Sequence, residues 1–88
     1  MIRDFSKRTI IWSRHALKEA LEDDFSTKDI EKSLAKSVEL YLEPGKKKAV
    51  TNIGTRYCTV IFIDMKYAIK IITCWEASYW EIEAYNKR

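Results

Sequence analysis

The 88-residue sequence is poor in residues that interrupt regular structure: it has two glycines and one proline, against three tryptophans, five tyrosines and three phenylalanines. Disordered chains show the opposite balance, so this composition excludes intrinsic disorder. From the length we expect no multidomain enzyme. We therefore expect one folded domain over residues 1–88, with a stability of a few kcal/mol.

Long apolar runs are also absent. The longest, Val60 to Ile63, has four residues, whereas a helix that crosses a bilayer needs about 20. The N-terminal segment is basic but has no apolar stretch of the kind found in secretory signals. We expect no membrane association and a cytoplasmic protein.

Metal-binding residues are scarce, because the sequence has one histidine and two cysteines, Cys58 and Cys74. The cysteines are too far apart for a CxxC pair, and one histidine cannot complete a four-ligand zinc site. The expectation is two reduced thiols, no metal and no cofactor.

Charge is unevenly distributed along the chain. Sixteen basic and thirteen acidic residues give a net charge of +3. Residues 1–18 and 44–63 are strongly basic, and residues 19–31 are acidic. A basic face can bind phosphates by counterion release, but three lysines beside a Pro-Gly turn are equally typical of a solvated hairpin tip.

The lack of glutamine beside abundant lysine and glutamate favours a thermophilic source.

The N-terminal half has the pattern of a strand followed by two helices. Residues 9–12 are β-branched and aromatic, and Ser13 can cap a helix that ends near Asp23. Ser26 can cap a second helix over residues 27–36, which would bury Ile30 and Leu34. The stripe of the first helix expected to face the core consists of Ala16, Leu17, Ala20 and Leu21, with Leu17 also packed on Trp12.

The C-terminal half changes to a period of two, which predicts strands over residues 38–43, 48–53, 56–64 and 67–75. Their connections are short enough for hairpins, so we expect an α+β fold in which two N-terminal helices pack on one face of an antiparallel sheet. The aromatic tail, residues 77–88, is expected to form a helix or a packed segment, or to contact a partner.

The register of the last two strands depends on the loop after Asp64. A two-residue loop, Met65-Lys66, would place Tyr57, Thr59 and Lys70 on the face away from the helices, directed at solvent or a ligand. Cys74 would share that face. A three-residue loop would shift the register by one.

His15 is the first candidate for chemistry. It lies with Arg14 in the first turn of the first predicted helix, where free N–H groups and the helix dipole favour an anion such as phosphate. A neutral imidazole there could accept a proton. A purely structural role, seating the helix on the sheet, is the alternative.

Other candidates follow from residues that interrupt the apolar pattern. Lys70 is either a surface residue or a phosphate contact, and Glu76 and Tyr79 could supply a carboxylate and a hydroxyl where the last strand ends. The aromatic side chains of the last segment could stack on RNA bases or belong to the core. They are Trp75, Tyr79, Trp80 and Tyr85.

The segment IIWSRHALKEALEDDFSTKDIEKSL, with its Ser-x-His-Ala motif, and the late segment YAIKIITCWEAS resemble small toxin domains of the RelE/ParE and BrnT types. The resemblance runs from about residue 9 to residue 77. It implies two N-terminal helices on an antiparallel sheet. Many RelE-type relatives cleave messenger RNA, freely or on the ribosome, whereas ParE-type toxins act on gyrase and cleave nothing.

The ribonuclease version implies metal-independent attack of an RNA 2′-hydroxyl on the adjacent phosphate. RNA or the ribosome would be the target and an antitoxin protein the partner. The alternatives are RNA binding without cleavage and a non-catalytic protein-binding module or homodimer of the same fold. For the ribonuclease, the implied catalytic residues are His15, Lys70 and Tyr79, and the implied phosphate-binding residues are Arg14, Lys46, Lys47, Lys48 and Arg56.

Overall fold

The computed structural model describes residues 8–65 and 67–87, except for the side chains at positions 41 and 42. The basic residues Arg3, Lys7 and Lys66 of the sequence lie outside the described residues. The elements, in chain order, are β1 (Thr9–Trp12), α1 (Arg14–Glu22), α2 (Thr27–Ser33), a 3-10 turn (Leu34–Lys36), β2 (Val38–Glu43), β3 (Lys46–Ile53), β4 (Arg56–Asp64), β5 (Ala68–Glu76) and α3 (Tyr79–Asn86).

The five strands form one mixed sheet in the order β1-β5-β4-β3-β2. Strands β2 to β5 are antiparallel neighbours, as predicted, but β1 runs parallel to β5, from Thr9 beside Ala68 to Trp12 beside Ile71. The prediction of a wholly antiparallel sheet was therefore wrong. Between β1 and β5 the chain passes through two helices and three strands, and a connection of this length allows either relative direction, whereas the short hairpins require β2 to β5 to be antiparallel.

Both N-terminal helices pack against one face of this sheet. The Ser13 hydroxyl accepts the Ala16 N–H at 3.0 Å and donates to the Ile72 carbonyl at 2.8 Å, so the predicted cap also fixes α1 to β5. Ile30 and Leu34 are fully buried, as predicted for the second helix.

The core-facing stripe of α1 was predicted only in part. Ala16 and Ala20 are buried, but Leu17 is 45% exposed and Leu21 is 80% exposed. Each leucine lies about 100° around the helix from the alanine before it. With the two small alanines facing the sheet, the leucines turn towards solvent.

The opposite face of the sheet is covered in part by α3, which forms from the aromatic tail. Tyr85 of this helix meets Tyr57 of β4 edge to face, with ring centroids 5.4 Å apart. Thr59 was predicted to point at solvent or a ligand, but α3 covers it completely, and its hydroxyl donates to Glu81 of that helix. Lys70, predicted on the same face, is exposed.

A bulge corrects the predicted register of β5. The connection after Asp64 spans residues 65–67, and the pairing shifts between Ile61 and Phe62. Beyond the shift Val60 pairs with Cys74, which is completely buried among the helix-facing core residues. Cys74 was predicted on the other face, because strict alternation does not allow for an extra residue.

Candidate active site

The only histidine of the sequence forms a close pair with a carboxylate. His15 and Glu19 lie one turn apart on α1, and His15 Nε2 is 2.6 Å from Glu19 Oε1. The spacing of four residues brings two side chains onto the same side of a helix. The imidazole is 65% exposed, whereas the carboxylate is 28% exposed, so the histidine is the outer member of the pair.

The sheet holds the carboxylate from its other side. The Thr73 hydroxyl, on β5, donates to the same Glu19 oxygen at 2.8 Å. Glu19 is thus fixed by both α1 and β5, and it in turn orients the ring of His15. Within the described residues, the His15 ring makes no other hydrogen bond, so Nδ1 has no protein partner, and the ring is mostly exposed.

A carboxylate paired with one imidazole nitrogen leaves the other nitrogen to take up a proton. The carboxylate then stabilises the imidazolium that forms. Arg14, the neighbouring residue, is exposed and makes no ion pair with the described part of the chain. The first turn of α1 therefore offers a proton acceptor and a guanidinium together.

The other two predicted catalytic residues lie apart from His15. Ile69 and Ile71 belong to the core beneath α1, so Lys70 between them projects from the opposite face of the sheet. Tyr79 begins α3 and is 76% exposed. No hydrogen bond or ion pair joins His15, Lys70 and Tyr79 in residues 8–65 and 67–87.

The three lysines at the start of β3 already have carboxylate partners. Lys46 Nζ lies 3.3 Å from Glu43, and Lys47 Nζ lies 3.3 Å from Asp64 and 3.7 Å from Glu39. The groove beside this hairpin, about 340 Å³, is lined by those three acids and both lysines. Its mixed charge gives it no preference for an anion.

Arg56, also predicted to bind phosphate, connects the end of α1 to the sheet. Its guanidinium donates to the carbonyls of Asp23 at 2.6 Å and Asp24 at 3.0 Å, and to Glu76 at 3.1 Å. It also lies 4.0 Å from the centre of the Phe25 ring. These contacts hold Asp24, which has a positive φ of 61°, at the turn after α1.

Lys48 is the third lysine of β3, and it belongs to a buried polar cluster centred on Glu81 of α3. The Glu81 carboxylate accepts four hydrogen bonds at 2.8 to 3.1 Å. Burial raises the pKa of this carboxyl group, but the four donors lower it by more, to about 2. They are Nζ of Lys48, the backbone N–H of Ser78, the indole N–H of Trp75 and the hydroxyl of Thr59.

Sequence reasoning missed Glu19, Thr73 and Glu81. The His-x-x-x-Glu spacing on a predicted helix was a usable signal for Glu19. Thr73 lies beside the bulge, and the position of Glu81 depends on how α3 packs, so no local pattern indicated either residue.

In the described ranges, no group of three or more metal-binding side chains is found, and no helix has the length and apolarity to cross a membrane.

Comparison with known proteins adds one structural neighbour. No protein-family model matches the sequence, and no curated protein matches it. The crystal structure of the Brucella abortus ribonuclease toxin BrnT superposes with a TM-score of 0.66 and 17% sequence identity, covering 81% of this chain and 97% of that one. The chain therefore has a BrnT-like α+β fold, in agreement with the BrnT-type resemblance of the sequence.

Proposed function

We propose that this protein is a ribonuclease toxin of the toxin–antitoxin type, which cleaves RNA at the first turn of α1. The observation that carries the proposal is the His15–Glu19 pair, 2.6 Å apart and open to solvent. Its occurrence in a fold similar to that of a ribonuclease toxin favours RNA over other substrates. Fold alone does not fix function, so the argument depends on the chemistry of the pair.

The reaction that suits the pair is attack of a 2′-hydroxyl on the adjacent phosphorus. His15 Nδ1 takes the hydroxyl proton, the bond from O2′ to phosphorus forms, and the bond from phosphorus to O5′ breaks. The imidazolium returns the proton to the departing O5′, and the products are a 2′,3′-cyclic phosphate and a free 5′-hydroxyl. Glu19 stabilises the imidazolium between the two proton transfers, and Arg14 pairs with the non-bridging oxygens.

Lys70 and Tyr79 stay predictions as catalytic residues. Because their side chains lie away from His15, we propose that they contact the RNA strand at a distance from the cleaved bond. Lys46, Lys47, Lys48 and Arg56 have protein partners, as described above. Phosphate contact by these four therefore requires exchange of an existing ion pair or hydrogen bond, and Arg14 is the stronger candidate.

The test uses labelled structured and unstructured RNA, incubated with the wild-type protein and the His15→Ala variant, with and without EDTA. We expect cleavage that persists in EDTA, leaves cyclic phosphate ends and falls at least tenfold in the variant. A parallel reaction with purified ribosomes tests whether cleavage depends on the ribosome. Absence of cleavage in both reactions would contradict the proposal.

A non-catalytic protein-binding module is the second candidate, and it has its own observation. Tyr79 and Trp80 are 76% and 58% exposed on α3, and large aromatic side chains are typical anchors of protein interfaces. This function predicts a stable complex or a homodimer that is broken by Tyr79→Ser with Trp80→Ser and is insensitive to His15→Ala. Sedimentation of the wild type and both variants separates it from the ribonuclease.

A further inference from the structure

Helix α1 exposes apolar and basic side chains in one continuous stripe, which we call the α1 stripe. Leu17 is 45% exposed and Leu21 is 80% exposed. The two leucines are four residues apart and so lie on adjacent turns of the same side of the helix. Arg14 and Lys18 complete the stripe at the same spacing. A single exposed leucine is ordinary, but two on the same side of a helix as a pair of exposed cations form a patch.

The cations of the α1 stripe differ from the lysines at the start of β3. Lys46, Lys47 and Lys48 each lie within 3.3 Å of a carboxylate oxygen. Arg14 and Lys18 have no carboxylate within ion-pair distance among the described residues, although both are exposed. The positive charge of the stripe is therefore available to a binding partner.

The chemistry of the stripe favours a protein over RNA. Phosphate contacts need the cations alone and leave Leu17 and Leu21 unexplained. An amphipathic helix uses both features, because its apolar side chains can cover the leucines while its flanking carboxylates pair with Arg14 and Lys18.

A second copy of the chain is a poorer fit to the stripe. The nine residues of α1 span only about 13 Å. Contact between two such helices buries much less than the roughly 1,200 Å² typical of a stable interface. In a symmetric pair the stripe also faces itself, so Arg14 and Lys18 of one copy meet no acidic group of the other stripe, whereas an acidic partner supplies one.

We propose that the α1 stripe is the docking surface for an acidic amphipathic helix of another protein. His15 follows Arg14 directly, so a helix on the stripe also covers the approach to the His15–Glu19 pair. The inference that a docked helix covers this pair rests on the proposed function, and it implies that the partner inhibits RNA cleavage.

The experiment selects partners by chemistry. A displayed library of 20-residue helical peptides, with Leu or Ser at the buried positions and Glu, Lys or Gln at the flanking ones, is selected on the wild-type protein. Binding of the enriched peptides is then measured by fluorescence anisotropy for wild type, Leu17→Ser with Leu21→Ser, and Lys18→Glu. Lys32→Glu, an exposed lysine on α2, is the matched control, and circular dichroism checks that every variant is folded.

We expect enriched peptides to be acidic with leucine at spacings of three and four. Their affinity should fall at least tenfold in both stripe variants and stay unchanged in Lys32→Glu. Enrichment of neutral or basic peptides, or binding that is insensitive to the stripe variants, overturns the proposal. So does a wild-type dimer that Leu17→Ser with Leu21→Ser dissociates, because the stripe then belongs to a second copy.

The same peptides separate docking from inhibition. Peptides that bind the stripe and slow RNA cleavage support both parts, whereas peptides that bind without slowing it reject the inhibitory part alone. If wild-type protein does not cleave RNA but binds acidic peptides through the stripe, the ribonuclease proposal fails and the docking surface stands. If Lys18→Glu weakens RNA binding and no peptide is enriched, the stripe is an RNA surface and the docking proposal is wrong.

Discussion

Lys48 Nζ lies 2.8 Å from Glu81 Oε2, in an ion pair that joins strand β3 to the C-terminal helix. The two side chains are 12% and 2% exposed. The ammonium group also lies 4.4 Å from the centre of the Trp80 ring, so the cation has both a carboxylate and an aromatic partner. Position 48 was predicted to bind phosphate, but its lysine already neutralises a buried carboxylate.

Removing one member of this pair is expected to leave the other charged and buried. Glu81→Ala and Lys48→Met should each lower the free energy of unfolding by about 3–5 kcal/mol. Urea denaturation followed by tryptophan fluorescence measures the loss. Glu22→Ala, which removes an exposed carboxylate of α1, is the control and should change stability by less than about 0.5 kcal/mol. Equal effects for Glu81→Ala and Glu22→Ala would show that the buried pair does not hold α3.

The low pKa of Glu81 makes stability depend on pH. The carboxyl group titrates near 2 in the folded protein, against 4.5 for an ordinary glutamate. Stability from its ionised form is complete above the unfolded pKa and is lost as pH falls from about 5 to 2, by roughly 3 kcal/mol. Urea denaturation at pH 6 and pH 3 should therefore show a larger loss for wild type than for Glu81→Gln. Parallel losses would contradict the assignment.

The two cysteines should be unreactive in the folded protein. Cys58 and Cys74 are free and completely buried. A hydrogen bond with Cys74, and then burial, raise the pKa of the Cys58 thiol, whereas the hydrogen bond with Cys58 lowers the pKa of the Cys74 thiol. A reagent must reach the sulfur atom, so the burial of both residues is what protects them near neutral pH. A thiol reagent such as Ellman's reagent should modify neither residue in the native state and both in guanidinium. Rapid modification without denaturant would place a thiol at the surface.

Arg56 is expected to act chiefly on stability. Arg56→Ala removes the donors to two carbonyls at the end of α1 and the contact with Phe25, and we expect a loss of about 1–3 kcal/mol. Arg56→Lys should recover only part of it, because an ammonium group cannot reproduce the planar fork. Thermal denaturation of both variants measures the effect. Full recovery with lysine would mean that charge alone matters at this position.

Local patterns predicted most of the elements. Ser13 and Ser26 were identified as helix caps because capping depends on neighbouring residues only, and β4 was predicted with its observed bounds, residues 56–64. The orientation of β1 was missed because strand direction at a sheet edge depends on contacts distant in sequence.

The candidate site was only partly predictable. His15 was identified from the sequence. To identify Glu19 as its partner, one has to consider which residues share a side of α1, and to place Thr73 beside Glu19 one has to know of the bulge in β5. The burial of Lys48 could not be predicted from a run of three lysines, because alternation along β3 places Lys46 and Lys48 on the same face and only the packing of α3 buries the second. Long-range packing, rather than local pattern, decides which cations remain exposed.

The most direct test of the central claim is chemical rescue of the His15→Ala variant. The rate of RNA cleavage is measured for wild type, His15→Ala and Lys32→Glu, each with and without added imidazole. The account predicts at least a tenfold loss in His15→Ala alone and partial recovery of its rate with imidazole, because the free base replaces the missing proton acceptor. Cleavage by His15→Ala at the wild-type rate would contradict the claim that this pair is the reacting centre.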